Sequence, residues 1–212
     1  MRKSLLAPVP ELEVAATLLE AAAVALMDSN EAAARDLIVR ADLPEIREYA
    51  VKLVGRMSVT VHLNTKRPTC LPTAERDATR MPPVSQQNAI FARDGWRCRF
   101  CETKVVSKSA RLILVKRFPR ETRWSGPEFS RHSALYAMAS SLDHVIPHGQ
   151  GGKNEWSNFV TACYCCQFGR GEWTLEQMQL LDPREREPTV DAWDGLDRLG
   201  DWIKRPAVNS SP

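Results

Sequence analysis

LDHVIPHGQGGKNEWSNFVTACYCCQFGRGEWT, residues 142–174, sets an acid and a histidine side by side at Asp143-His144 and carries two cysteines, Cys163 and Cys166, at C-x2-C spacing. The same spacing stands earlier at Cys98 and Cys101, in WRCRFC (96–101). Each such knuckle puts two thiolates at the tip of a tight turn, and four thiolates close a tetrahedral shell around a d10 ion such as zinc. Because the two pairs bracket Asp143-His144, the sequence predicts a metal-braced fold with acid–base chemistry attached. Cys165 and Cys70 read most simply as non-ligands, although Cys165 lies between two proposed ligands and competes as an alternative. The competing reading of these cysteines is disulfides or buried free thiols. Disulfide frameworks belong mainly to exported chains, and the opening MRKSLLAPVPELEVAATLLE places acids inside what would be the apolar core of a signal peptide. A cytoplasmic location is therefore expected.

The 212 residues suffice for one or two modest domains, and the net charge of +3 says little about partners. The distribution of charge says more. Between Ser85 and Arg131 stand eleven Lys/Arg against four acids, whereas from Glu172 to Asp201 nine acids face three arginines. The best apolar run, VAATLLEAAAVALM, is interrupted by Glu20 and is too short to cross a bilayer.

Four parts follow from pattern. Residues 1–57 read as short helices: ELEVAATLLEAAAVALM is rich in strong helix formers, Asp28-Ser29-Asn30 is a capping cluster, and Ile46, Ala50, Leu53 and Val54 share one helical face. Such helices are structural or self-associating, with a homodimer or a protein partner as the expectation. Residues 58–84, with Pro68, Pro72, Pro82 and Pro83, form a linker or wrapped arm in which His62 is incidental. Residues 85–182 form the second unit: SQQNAIFARDGWRCRFC is a helix running into the first knuckle, RLILVKRF alternates as a strand does, and NEWSNFVTACYCCQFGRGEWTLEQMQLL reads as strand, knuckle, helix and second helix. From 183 to 212 an acidic tail ending in RPAVNSSP is expected to pack loosely or not at all.

Within that second unit the order Asp143-His144, Asn158 and a polar helical residue after the knuckle resembles the HNH nucleases. His144 precedes Asn158 by fourteen positions, and Asn158 precedes Gln167 by nine. The segments RDGWRCRFC, DHVIPHGQGG and CQFGRGEWTLEQM are similar to the restriction-type branch, where zinc held by paired C-x2-C motifs braces the unit. The likeness covers about Ser85 to Leu180. It implies an α+β fold, a ββα-metal unit braced by zinc at Cys98, Cys101, Cys163 and Cys166 and preceded by a small helical region.

The resemblance further implies a metal-dependent DNA endonuclease: His144 as general base, Asp143 and Gln167 as ligands of Mg2+ or another divalent cation, Asn158 fixing the loop and ring orientation, and Arg170 contacting phosphate. A neutral imidazole suits proton abstraction near neutral pH. The basic segment, with Lys116, Arg117, Arg120 and Arg123, would contact the DNA backbone, and the acidic tail could shield it. Each residue has a plainer reading. Asp143 could receive turn amides, His144 could be a satisfied interface histidine, and Asn158 a turn residue. His148 reads as a loop residue, and Trp96, Trp156 and Trp173 as core packing more than base stacking. Gln167 departs from the family's His or Asn, which keeps alive a zinc-braced nucleic-acid-binding module without catalysis.

Overall fold

The computed structural model describes residues 1–54 and 68–204; the incidental His62 and the terminal RPAVNSSP lie outside them. Three helices open the chain: α1 (Glu11–Met27), α2 (Glu31–Arg40) and α3 (Pro44–Val54). On α1 the buried set Leu12, Ala15, Ala16, Leu19, Ala22, Ala23 and Leu26 repeats at helical spacing, and its small alanines let α2 pack closely in a hairpin. Asn30 starts α2 as expected, its side chain accepting from the Ala33 amide at 3.1 Å. The buried face of α3 is Ile46, Tyr49, Ala50 and Leu53, with Tyr49 in the place expected of Val54.

Next come α4 (Val84–Arg93), α5 (Lys108–Arg117), the single turn α6 (Pro119–Thr122), α7 (Ser133–Ala137), β1 (Ser140–His144), β2 (Phe159–Cys163), α8 (Tyr164–Arg170) and α9 (Arg198–Lys204). β1 and β2 form an antiparallel pair, with Ser140 opposite Cys163 and His144 opposite Phe159. With α8 following directly, this is the expected ββα unit in an α+β chain. Among the described residues no third strand joins the outer edge of β2. The buried Asp94 carboxylate accepts from the Thr161 amide at 2.7 Å, and the Arg99 amide donates to the Thr161 carbonyl at 2.8 Å, so the edge is closed by the turn after α4.

Three expectations are corrected. RLILVKRF is helical in α5, not a strand: Ser107 caps it by accepting from the Ala110 amide, and Ala110, Leu114 and Phe118 recur every fourth residue as the buried set. The stretch after α8 forms no second helix. Thr174 and Gln177 exchange side-chain-to-backbone hydrogen bonds, and the chain then turns at Gln179, with φ 52°, into a bridge with Arg2. The acidic tail does not pack loosely, since Trp193, Leu196 and Leu199 are buried and α9 lies on α5. The Trp193 indole N–H donates to the Val105 carbonyl at 2.9 Å, and Asp191 pairs with Arg97 at 2.6 Å.

The N-terminal helices are likewise part of the body, because α3 packs on α7 and α8. Gly169 makes this possible: a Cβ there would lie 3.1 Å from the Leu53 carbonyl oxygen. The buried faces of α1, α2 and α3 are thus covered within the chain. No described helix is long and apolar enough to cross a membrane.

His132 joins α7 to the hairpin and makes the fold acid-sensitive. It is fully buried; Nε2–H donates to the Ile38 carbonyl at 2.7 Å, while Nδ1 accepts from the Leu135 amide at 3.3 Å. Only the neutral ring can do both, and burial pushes its pKa below the ordinary histidine value. The folded pKa lies below the unfolded one, so this contribution is complete above about pH 6.5 and is lost as pH falls below it. Denaturant midpoints between pH 7.5 and 5 should fall with acidification, by up to about 1.4 kcal/mol per pH unit for this residue. His132→Gln should flatten that dependence.

Candidate metal centre and cleft

The first knuckle is a small hairpin: the Cys98 amide donates to the Thr103 carbonyl, and Arg97 bridges Lys104. The second lies where β2 runs into α8, with Cys163 at the helix cap, its Sγ accepting from the Cys166 amide at 3.4 Å. All four sulfurs are buried and lie within 4.8 Å of one another. Cys101 Sγ and Cys163 Sγ are 3.7 Å apart, against an edge of about 3.8 Å for a tetrahedron of Zn–S bonds of about 2.3 Å. All six cysteines are free of disulfides, and Cys165 and Cys70 stand outside the cluster. The four cysteines could therefore hold a metal such as zinc. The Tyr49 hydroxyl of α3 is buried without a hydrogen-bond partner, and its pKa is pushed up by burial first and by the neighbouring cysteine charges next.

A cleft of about 460 Å³ opens on the other side of the ββα unit, lined by Asp143, His144, His148, Gln167, Ser141 and Arg80 among others. Strand β1 delivers Asp143 and His144, and α8 delivers Gln167, so the sequence-predicted residues do converge. The His144 ring packs on Phe159 at 4.5 Å, and its Nε2–H donates to Asn154 Oδ1 at 2.9 Å. That bond leaves Nδ1 with the free lone pair. Burial first, then the neighbouring His148, Arg80 and Arg170, lower the His144 pKa below the ordinary histidine value, partly offset by the Asn154 bond, which favours the neutral ring.

Asn158 holds the loop. Its Oδ1 accepts from the Ile146 amide at 2.9 Å, and its Nδ2–H donates to the Lys153 and Ile146 carbonyls. Gly152 is pressed so closely on this loop that a Cβ would sit 1.8 Å from the Ile146 oxygen. The ring-orienting half of the role predicted for Asn158 falls to Asn154. Nothing in the sequence marked Asn154, an asparagine in a polar loop.

The resemblance implies a phosphate contact for Arg170; in the structure its side chain turns inward. Its side chain is 1% exposed and bidentate on Asp143, Nε at 3.1 Å and Nη2 at 2.8 Å, with the remaining donors on the His144, Trp173 and Val145 carbonyls. All five guanidinium N–H groups are thereby used. Burial pushes the Asp143 carboxyl up and Arg170 opposes it; with two charge-assisted bonds on its oxygens, the geometry serves the ionised form. Gln167 is engaged as well: Oε1 accepts from the Ser141 hydroxyl, and Nε2 donates to the Leu142 carbonyl at 3.0 Å.

The basic segment lies elsewhere. Arg117 pairs with Glu31 and Arg123 with Asp42, both on the N-terminal helical region, while Lys116 and Arg120 are exposed; none of the four lines the cleft. Of the tryptophans, Trp96 is buried against Phe91 and Trp173 is packed at the core edge, but Trp156 is exposed beneath the Arg93 guanidinium.

Comparison with known families agrees with this geometry: residues 129–167, which include His144, Asn158 and Gln167, match the model of the HNH endonuclease family. The match spans the ββα unit as far as Gln167 in α8. No curated protein and no solved structure matches the chain.

Proposed function

We propose that the chain is a metal-dependent DNA endonuclease of HNH type that hydrolyses phosphodiester bonds without a covalent enzyme intermediate. The observation that carries this reading is the placement of His144, held by Asn154 through Nε2 at a cleft shared with two hard oxygen donors, Asp143 and Gln167. His144 takes the proton of the attacking water, and Asn158 keeps its loop in register. Asp143 and Gln167 would hold the divalent cation. Each retains an acceptor lone pair beyond its present partner, and oxygen ligands suit Mg2+. When bound, such an ion supplies Lewis-acid stabilisation of the phosphate and of the leaving 3′ oxygen. Arg170 already neutralises much of the Asp143 charge, so activity should require high Mg2+. The four cysteines hold zinc in a closed structural shell, and the enzyme works in the cytoplasm.

The test is cleavage of supercoiled plasmid with Mg2+, Mn2+ or Ni2+ across a pH series. His144→Ala should lose at least about 10²-fold in rate, the contribution of a positioned general base. The parent rate should fall only on acidification below the ordinary histidine range, since the ring is already neutral above it. Asn154→Asp places a carboxylate on Nε2–H and should move that acid limb to higher pH. A second reading, a zinc-braced DNA-binding module, is favoured by the present engagement of Asp143 and Gln167. Binding of DNA with no cleavage under any ion, and no effect of His144→Ala, would establish it.

A further inference from the structure

Of the stretch 58–84, read as a linker or wrapped arm, the described part from 68 onward is an arm clasped to the cleft. The Leu71 amide donates to the Gly149 carbonyl at 2.8 Å. Asp77 accepts from the Asn154 amide at 2.9 Å and from Lys153 Nζ at 3.2 Å, and its own carbonyl accepts from His148 Nε2–H at 3.1 Å. Asn154, which orients His144, also donates from Nδ2 to the Thr79 carbonyl. One residue therefore fastens the arm and the catalytic ring together, and the next position along the arm is Arg80.

Arg80 is exposed, lines the cleft with His144 and Asp143, and has no hydrogen-bond or ion-pair partner among the described residues. The cleft's other guanidinium, Arg170, is spent. A phosphodiester entering the cleft needs a cation to offset its charge and fix its orientation, and a guanidinium with free donors binds phosphate oxygens in bidentate fashion.

We propose that the arm is part of the active site and that Arg80 positions the DNA phosphate beside His144, the role that Arg170 cannot perform. This rests on the endonuclease reading for its cleavage arm, but not for its binding arm. Two measurements on the full chain test it: plasmid cleavage, and the salt dependence of duplex binding in a His144→Ala background, comparing Arg80 with Arg80→Ala and Arg80→Lys. Equal melting curves for all three are expected, because Arg80 makes no internal bond.

Arg80→Ala should cut cleavage about 10- to 100-fold, the range of a hydrogen bond to a charged group, and lower the slope of log K against log salt by about 0.9. Arg80→Lys should keep the slope and lose part of the rate. An unchanged slope in Arg80→Ala overturns the proposal. If the parent binds DNA but never cleaves it, the endonuclease reading falls and the slope still decides Arg80. If the parent binds no DNA, both fall.

Discussion

Removing the metal from the four-cysteine centre should unfold the HNH domain. A structural zinc contributes about 10–16 kcal/mol of apparent binding free energy, against a total stability of about 5–15 kcal/mol for an ordinary domain. Here the dependence is built into the chain's layout. The two-stranded sheet is too small to stand alone, the first knuckle has only a short hairpin of its own, and the second caps α8 through Cys163. The buried Tyr49 belongs to α3, so disorder at the cysteines should reach the N-terminal helices that pack on α8. Purified protein should contain about one zinc per chain, and a strong chelator should abolish cooperative unfolding seen by circular dichroism. Cys98→Ser and Cys163→Ser should lose the ion and the fold together, while Cys70→Ser and Cys165→Ala should keep the metal. A chain that stays fully folded without zinc refutes the assignment.

What could be read from the sequence was whatever local spacing encodes. Two C-x2-C pairs could be read as one candidate ligand set, and their four buried sulfurs do lie within 4.8 Å of one another. Asp143, His144 and Gln167 could be read together because a strand and a helix of fixed lengths bring them to one cleft, while Asn158 ties the loop between the strands. The misses were tertiary. RLILVKRF suits a strand by alternation, but the Ser107 cap and the fourth-residue recurrence of Ala110, Leu114 and Phe118 decide for a helix, a contest that pattern alone leaves open. The acidic tail looked dispensable by charge, yet three apolar side chains, Trp193, Leu196 and Leu199, anchor it. Asn154 and Arg80 carry no signal in sequence, because their meaning arises only when the arm lies against the loop. Arg170 misled for the opposite reason: its type suits a phosphate, and only its burial shows that its donors are taken.

That burial makes a further result predictable. Arg170→Met should cost about 3–5 kcal/mol, the range for breaking one side of a buried ion pair, because it leaves the Asp143 carboxylate, only 9% exposed as a side chain, without its cation. It also strands the His144, Val145 and Trp173 carbonyls that Arg170 now satisfies. Adding Asp143→Asn should recover part of the loss, since the neutral amide needs no counter-ion, but not the share due to the carbonyls. The double-variant cycle separates the two. Divalent cation should stabilise Arg170→Met more than the parent, as the freed carboxylate then meets the ion undivided. Denaturant midpoints with and without Mg2+ measure all of this independently of cleavage. If Arg170→Met instead keeps full stability while DNA affinity weakens and the salt slope drops by about 0.9, Arg170 is the phosphate contact and the inward pairing with Asp143 is not its working state.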